Sequence, residues 1–397
     1  MPILESGALR GFYAPEYDEG SILNLMSSLI RSRGGTSPHA ELSDLPSSAL
    51  ERYERIVYLV LDGIGEEQLA RHLDAGRGRH FFAEAPRRVL TTVFPATTAA
   101  AVTTFATGAS PAEHGIVGWF VNFPDLGSVS TVLLVEARAG TDLVPDDFPL
   151  KDYLAIPSYV ESVSCPTVYL AHEAIPFSRY SLAGTLWGER HSVKSLGRLE
   201  RRIAEFSKRE GRGLAYAYWP VYDTVCHDAG TASEGASQHL DELDRLLARL
   251  AGGAIGTGSL VVVTSDHGLV DVPLERNVNL GSVPGFYDCL ATLPSGDARC
   301  VHCFVRPSKT QRFLEIARGQ LSAACAAIPG EVLAECGWFG PGRPHPALRA
   351  RVGDWVLLAR EGWALSAPRV FEEWKPKRGN HGGASPTEMR VPLWTIE

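Results

Sequence analysis

The amino-acid sequence predicts an α/β fold: a largely parallel central sheet with helices on both faces, plus a small inserted α+β subdomain. Three observations carry that expectation. Short apolar and often β-branched runs, from Ile56 to Leu61, Thr167 to Ala171, Leu214 to Trp219 and Leu260 to Thr264, have the length and unbroken hydrophobicity of strands buried on both faces. Amphipathic stretches lie between them, clearest from Ser195 to Lys208 and from Glu234 to Leu250, and strands alternating with helices form parallel sheets. The texture changes after about Asn277, where Gly and Pro recur around an expected strand from Cys300 to Val305, a helix from Gln311 to Ala327 and a strand from Trp355 to Ala359. The chain is therefore expected to divide into a core over 1–276, an inserted subdomain over 277–375 and a return to the core over 376–397.

Open α/β sheets present ligands at the carboxyl ends of their strands, and reactive residues gather there. The first strand, Tyr58-Leu-Val-Leu-Asp62-Gly63, closes with a carboxylate before a permissive glycine; such an Asp either caps a turn or ligates a metal. Next, Phe94-Pro-Ala-Thr-Thr98 opens a run of small residues that stops at Thr107-Gly108. Pro95 and the Thr pair fit a helix start and Gly108 a helix stop. The segment is either a tightly packed capped helix or a hydroxyl held at a positive helix end, where phosphate binds. Beyond Trp219, Asp223 and His227 stand four apart and share a face if the segment is helical. The run Val261-Val-Val-Thr-Ser-Asp266-His267-Gly268 ends in two adjacent donors, which reach one ion only if the chain turns there, as Gly268 permits. Near the carboxyl end, Arg378-Gly-Asn-His381-Gly-Gly383 offers one imidazole between glycines. Each of the last three is singly more often a polar loop than a ligand; together they point to a metal site.

Composition narrows the classes. Of 397 residues, 45% are hydrophobic and 21% charged, which supports a large core and excludes disordered or collagen-like chains. A formal net charge of -8 repels nucleic-acid backbones and anionic lipid, so neither nucleic-acid scaffold binding nor membrane association is expected. No run of about 18 apolar residues occurs. The amino-terminal segment carries Glu5, Glu16, Asp18 and Glu19 in place of a basic start and an apolar run, so the expected location is the cytoplasm. The cysteines are irregularly spaced and are expected as free thiols. Cys300, His302 and Cys303 lie close together, but a strand there would send neighbours to opposite faces, against a shared metal.

Taken in order, Asp62, Thr98, Asp223, His227, Asp266, His267 and His381 resemble the alkaline phosphatase superfamily, and within it the nucleotide pyrophosphatase/phosphodiesterase branch. The most specific pieces are Thr98 with Thr107-Gly108, Ser110-Pro111-Ala-Glu-His114-Gly115-Ile116, Ser265-Asp-His-Gly268 and Asn380-His-Gly382. The likeness runs from about Tyr53 to the carboxyl end. It implies two zinc ions at the tips of the sheet, with manganese or iron able to take the same donors. One ion would be held by Asp223, His227 and His381, and the other by Asp62, Asp266 and His267, with Thr98 coordinated to it as the nucleophile. The implied reaction is hydrolysis of a phosphodiester or pyrophosphate bond in a small, nucleotide-like substrate through a covalent phosphothreonine. Phosphonoacetate-type hydrolysis and phosphomonoesterase activity are alternatives on the same residues, and a noncatalytic phospho-ligand-binding protein is a further one.

The sequence also departs from that family. Trp119 stands where an asparagine usually touches a phosphate oxygen, which leaves Asn122 or an aromatic wall in that role; Trp119, Asn122 and Tyr222 are the expected substrate contacts. Thr97 is expected to serve as a helix cap and His114 as a structural hydrogen-bonding residue. No arginine of the kind the monoesterase branch uses accompanies Thr98, although Arg306, Lys375 or Arg378 could fold over the site.

Overall fold

The structure is a computed structural model that describes residues 9–138, 149, 158–184, 188–368 and 373–397. Among the described residues the main sheet has seven strands, in the order Arg88–Thr91, Arg390–Ile396, Ser259–Thr264, Arg55–Leu61, Gly213–Trp219, Thr167–His172 and Glu189–Val193. From Ser259–Thr264 to Glu189–Val193 every neighbour is parallel, whereas Arg390–Ile396 runs antiparallel to the strands on either side. Arg55–Leu61, Gly213–Trp219 and Ser259–Thr264 are buried along their whole lengths, the environment in which an unbroken apolar run is stable.

Alternation along these strands feeds two cores. Ile56, Tyr58 and Val60 enter one, against the helices Ile22–Ser32 and Thr98–Thr107. Val57, Leu59 and Leu61 enter the other, against Leu196–Ser207 and Glu234–Arg249. The last two helices start where Ser195 and Ser233 accept the backbone N–H groups of Arg198 and Ala236, side-chain caps that satisfy otherwise orphaned donors. No helix among the described residues is long and apolar enough to cross a membrane.

A second, antiparallel sheet lies beside the first, in the order Cys325–Pro329, Trp355–Ala359, Cys300–Cys303, Ser295–Asp297, Phe120–Phe123, Ser128–Thr131 and Glu136–Ala137. Four of its strands come from 295–359 and three from 120–137, so the two sides of residue 276 share one sheet. The helix expected from Gln311 to Ala327 is shorter: Thr310–Glu315 is α-helical, Ile316–Gln320 widens to a π turn, and Cys325–Pro329 is a strand. Its apolar run Cys325-Ala-Ala-Ile pairs with Trp355–Ala359, and that long-range ladder overrides the local helical pattern. Cys300 and Cys303 point into different cores, and His302 places its ring nitrogens 2.8 and 3.1 Å from the carbonyl oxygens of Val117 and Val352, away from any shared ion. All seven cysteines are free.

One buried ion pair ties the second sheet to the main one. Arg299, in the turn after Ser295–Asp297, donates from Nε and a terminal nitrogen to the two Glu388 carboxylate oxygens at 2.7 and 2.8 Å, and neither side chain is exposed. Glu388 also accepts the N–H groups of Gly383 and Ser385, so it anchors the segment that follows His381. Glu388→Gln leaves the guanidinium buried without its counter-charge, a change that costs about 3–5 kcal/mol. The urea midpoint of the metal-free variant should fall accordingly, and an unchanged midpoint would remove the pair from the account of stability.

Candidate active site

Strand register brings the carboxylates together. Leu61 pairs with Trp219 and Val60 with Thr264, so three neighbouring parallel strands end nearly level. Asp62 follows the first strand directly, Asp266 follows the third by two residues, and Asp223 rides on the helix Val221–Ala229, with His227 one turn later. Gly63 has a φ of +81°, and a Cβ there would stand 3.0 Å from the Asp223 Cβ. Glycine at that position allows the close approach of the two segments. Thr98 is the first residue of its helix, which ends at Gly108 with a φ of +68°. His381 comes from the turn after Gly379–Asn380.

The oxygens of this cluster are half satisfied. Asp62 Oδ2 accepts the Tyr218 hydroxyl, and Asp266 Oδ1 accepts the N–H groups of Gly63 and His267 at 3.1 and 3.0 Å. Asp62 Oδ1, Asp223 Oδ1 and Asp266 Oδ2 are buried and have no hydrogen-bond donor among the described residues. Carboxylate oxygens in that state are costly unless a cation faces them. The imidazoles are oriented for the same purpose. His227 Nδ1 lies 2.7 Å from the Gly379 carbonyl oxygen and His267 Nδ1 lies 3.1 Å from that of Gly268, contacts that put the proton on Nδ1 and leave each Nε2 lone pair pointing inward. His267 Nε2 meets Thr98 Oγ1 at 3.0 Å and lies 3.4 Å from Asp62 Oδ1 and 3.6 Å from Asp266 Oδ2. His227 Nε2 is 3.2 Å from Asp223 Oδ2, and His381 Nε2 is 3.8 Å from Asp223 Oδ1.

Two compact donor groups result, each with ligand atoms within 4.8 Å of one another: Asp223, His227 and His381, and Asp62, Asp223 and His267. The first matches the expected set. In the second, Asp223 stands where the sequence reading placed Asp266, whose unpaired Oδ2 still faces His267. The orphaned oxygens and the mixed oxygen and nitrogen donors fit divalent metal ions. Electrostatics agrees. Burial, followed by Asp266 and Asp223, pushes the Asp62 carboxyl well above the usual carboxylate range, and burial also raises Asp266. Burial holds His381 well below its ordinary value, with His267 and His227 adding to the effect. Without a cation Asp62 and Asp266 resist ionisation and His381 resists protonation.

A cavity of about 920 Å³ opens over this cluster and is lined by Asp62, Thr98, Asp223, His227 and His381 together with Trp119, Phe120 and Tyr180. Trp119 is thus on the wall, as expected, but two other expected contacts are not. Asn122 donates its side-chain amide to the Ala350 carbonyl oxygen and is not on the wall. Tyr222 is 1% exposed and packs in the core with Leu69 and Cys226, on the helix face opposite solvent. Thr97 occupies the cap position, but its hydroxyl makes no capping bond. His114 is fully buried, accepts the Ile116 N–H at Nδ1 and donates from Nε2 to Thr104 Oγ1 at 3.2 Å, in keeping with a structural role. Of the cations considered, Lys375 reaches the wall paired with Glu373 at 2.9 Å, Arg306 donates to the Leu290 carbonyl oxygen, and Arg378 is not on the wall.

Three wall residues have no signal in the local sequence: Tyr218, Asp297 and Lys377. Asp297 comes from the second sheet and accepts the Trp119 N–H at 3.0 Å. Gly382, with a φ of +103°, would carry a Cβ only 2.5 Å from that of Asp297, so a side chain there would push the His381 turn off the second sheet.

The comparisons with known proteins follow this geometry. The model of the family "Type I phosphodiesterase / nucleotide pyrophosphatase" matches residues 56–384. The chain belongs to that family, and with it to the alkaline phosphatase superfamily of phosphoric ester hydrolases. No curated protein matches the chain. Among solved structures it is similar to murine ectonucleotide pyrophosphatase/phosphodiesterase 5, at 17% identity and a TM-score of 0.60, over 85% of this chain and 87% of that one. An inactive variant of the same murine protein in complex with AMP aligns at a TM-score of 0.60 and 17% identity, over 86% and 87%. Phosphonoacetate hydrolase from Sinorhizobium meliloti 1021, in complex with phosphonoformate, aligns at a TM-score of 0.62 and 17% identity, over 86% and 89%.

The position of Asp297 generates a test. Burial pushes its carboxyl from 3.8 up to about 6. A carboxyl raised in this way binds its proton more tightly in the folded chain, so its contribution to stability is full below pH 3.8 and is lost as pH rises through about 6. Asp297→Asn removes that loss. In metal-free protein the thermal midpoint of the variant should gain on wild type as pH is raised from about 4 to about 7; a difference that stays constant with pH would trace the effect to packing instead.

Proposed function

We propose that this chain is a metal-dependent hydrolase of phosphodiester or pyrophosphate bonds, with Thr98 as the nucleophile and two zinc ions as cofactors. The single observation that carries the proposal is the hydroxyl of Thr98 at a helix start, 3.0 Å from His267 Nε2, beside buried carboxylate oxygens that lack donors. Two cations held by Asp62, Asp223, His227, Asp266, His267 and His381 would supply Lewis acidity at the attacking and leaving oxygens and lower the pKa of a bound water.

The chain's own residues do the rest. His267 Nδ1 lies 3.1 Å from the Gly268 carbonyl oxygen, which turns Nε2 inward beside Thr98 Oγ1, so the imidazole and the hydroxyl would face one cation together at the cavity floor. Oγ1 attacks phosphorus as the bond to the leaving oxygen breaks, the leaving oxygen taking up the hydroxyl proton, to give a phosphothreonine; water attack on phosphorus, with a water proton passing to Oγ1, then releases phosphate or its monoester and restores the hydroxyl. The positive end of the Thr98–Thr107 helix favours the anionic phosphoryl group held there. Trp119 and Phe120 offer an apolar wall to an esterified oxygen, which supports diesters over monoesters. Nucleotide-like substrates accord with the murine relative's AMP complex. The likeness to phosphonoacetate hydrolase supports a second reading, a phosphonate hydrolase on the same residues, because lysines stand on the wall.

Turnover decides. On zinc-loaded protein, kcat/KM for an aryl ester of a nucleotide should exceed that for aryl phosphate. Thr98→Ala should lower it by about a thousandfold or more with fold and metal retained, and Thr97→Ala should leave a measurable rate. Full activity in the Thr98 variant would overturn the covalent route.

Metal content is a separate measurement. Elemental analysis of protein purified without chelator should give about two zinc ions per chain. Because the cations would relieve buried carboxylate repulsion, adding zinc to stripped protein should raise the thermal midpoint by an amount equivalent to about 2.7 kcal/mol at a hundredfold excess over Kd. Protein that holds no transition metal and keeps its activity in chelator would overturn the assignment.

A further inference from the structure

Lys377 lies on the cavity wall, in the segment leading into the His381 turn. Its main chain is held from two sides, since the side-chain amides of Asn277 and Asn380 donate to its carbonyl oxygen at 3.4 and 3.0 Å. The other cations of that wall are committed. Lys375 is paired with Glu373, and the Arg138 guanidinium donates to the carbonyl oxygens of Pro294 and Ala367. Among the described residues no carboxylate lies within ion-pair distance of Lys377. It shares that wall with His227, Asp297 and His381.

We propose that Lys377 is a specificity-determining residue that holds a second anionic group of the substrate, a phosphate or a carboxylate carried next to the scissile phosphorus. The proposal rests on the hydrolase reading above and adds the charge of the substrate to it. A simple diester has one anionic centre, which the proposed metal pair and the helix start would face, and it leaves Lys377 with no anionic partner among the described residues. A pyrophosphate or a carboxylated phosphonate supplies the missing anion. Asp297 on the same wall carries the opposite sign, so a second anion is repelled from the Trp119 side and drawn to the Lys377 side.

Calorimetric titration of zinc-loaded Thr98→Ala protein tests this without turnover. The three probes are UDP-glucose, which carries two anionic phosphates, the methyl ester of UMP, which carries one, and phosphonoacetate. Lys377→Ala in that background should weaken UDP-glucose, phosphonoacetate or both by about tenfold, as expected for loss of a charge-assisted contact, and leave the methyl ester within about twofold. Lys377→Arg should restore the affected probe. Weakening of UDP-glucose alone identifies the second anion as phosphate, and weakening of phosphonoacetate alone identifies it as carboxylate. Equal weakening of all three probes, or of none, overturns the role of Lys377. If none of the probes binds when Lys377 is intact, the hydrolase reading itself fails and the proposal falls with it.

Discussion

Three buried carboxylates that converge without enough donors are the constraint on which the rest of this structure depends. Asp62, Asp223 and Asp266 repel one another, and burial removes the water that would screen them. They stay together because each is fastened from behind. The sheet register holds Asp62 and Asp266 at the same level, the Tyr218 hydroxyl and two backbone N–H groups take one oxygen from each, and the Val221–Ala229 helix presents Asp223 opposite. A scaffold that spends fully buried strands and two cores on holding like charges together is one whose stability and chemistry meet at the same residues.

The second sheet closes that arrangement from the other side. Asp297 packs against Gly382, and Arg299 grips Glu388, so the turn carrying His381 is clamped between two contacts contributed by one hairpin. The wall residue Trp119 is fixed by the same hairpin, through its N–H to Asp297. The Trp119 stretch of the cavity wall and the His381 imidazole therefore share a support. A shift of the 295–303 hairpin would move both, although it bears none of the expected ligands.

Much of this was legible in the sequence, because a parallel sheet writes its chemistry into short local segments. A buried apolar run followed by Asp62, or by Asp266 and His267, declares both a strand and its reactive end, and Asp223 and His227 share a face through nothing more than helical spacing. What was not legible depends on long-range partners. Cys325–Pro329 has the look of a helix end until Trp355–Ala359 pairs with it. Asn122 and Tyr222 sit in promising motifs, yet a hydrogen bond to the distant Ala350 carbonyl oxygen and the buried face of a helix keep them off the cavity wall. Asp297 and Lys377 have no motif at all, since their neighbours in space are far away in the chain. A likeness spanning 56–384 fixes the family, whereas wall residues such as Asp297 lie where local pattern carries no information.

The position of Arg390–Ile396 has a consequence for the chain as it leaves the ribosome. This strand is inserted between Arg88–Thr91 and Ser259–Thr264, and Arg88–Thr91 has no other strand partner in the sheet. Through the synthesis of some three hundred intervening residues, the segment leading to Thr98 waits beside an unfilled slot, and for about the last 125 of them Ser259–Thr264 presents a bare apolar edge of the kind that invites pairing with another chain. Vectorial folding therefore cannot finish the sheet by degrees. The sheet stays open until Arg390–Ile396 is made, and its insertion seals the edge and fixes the segment leading to Thr98 in one event.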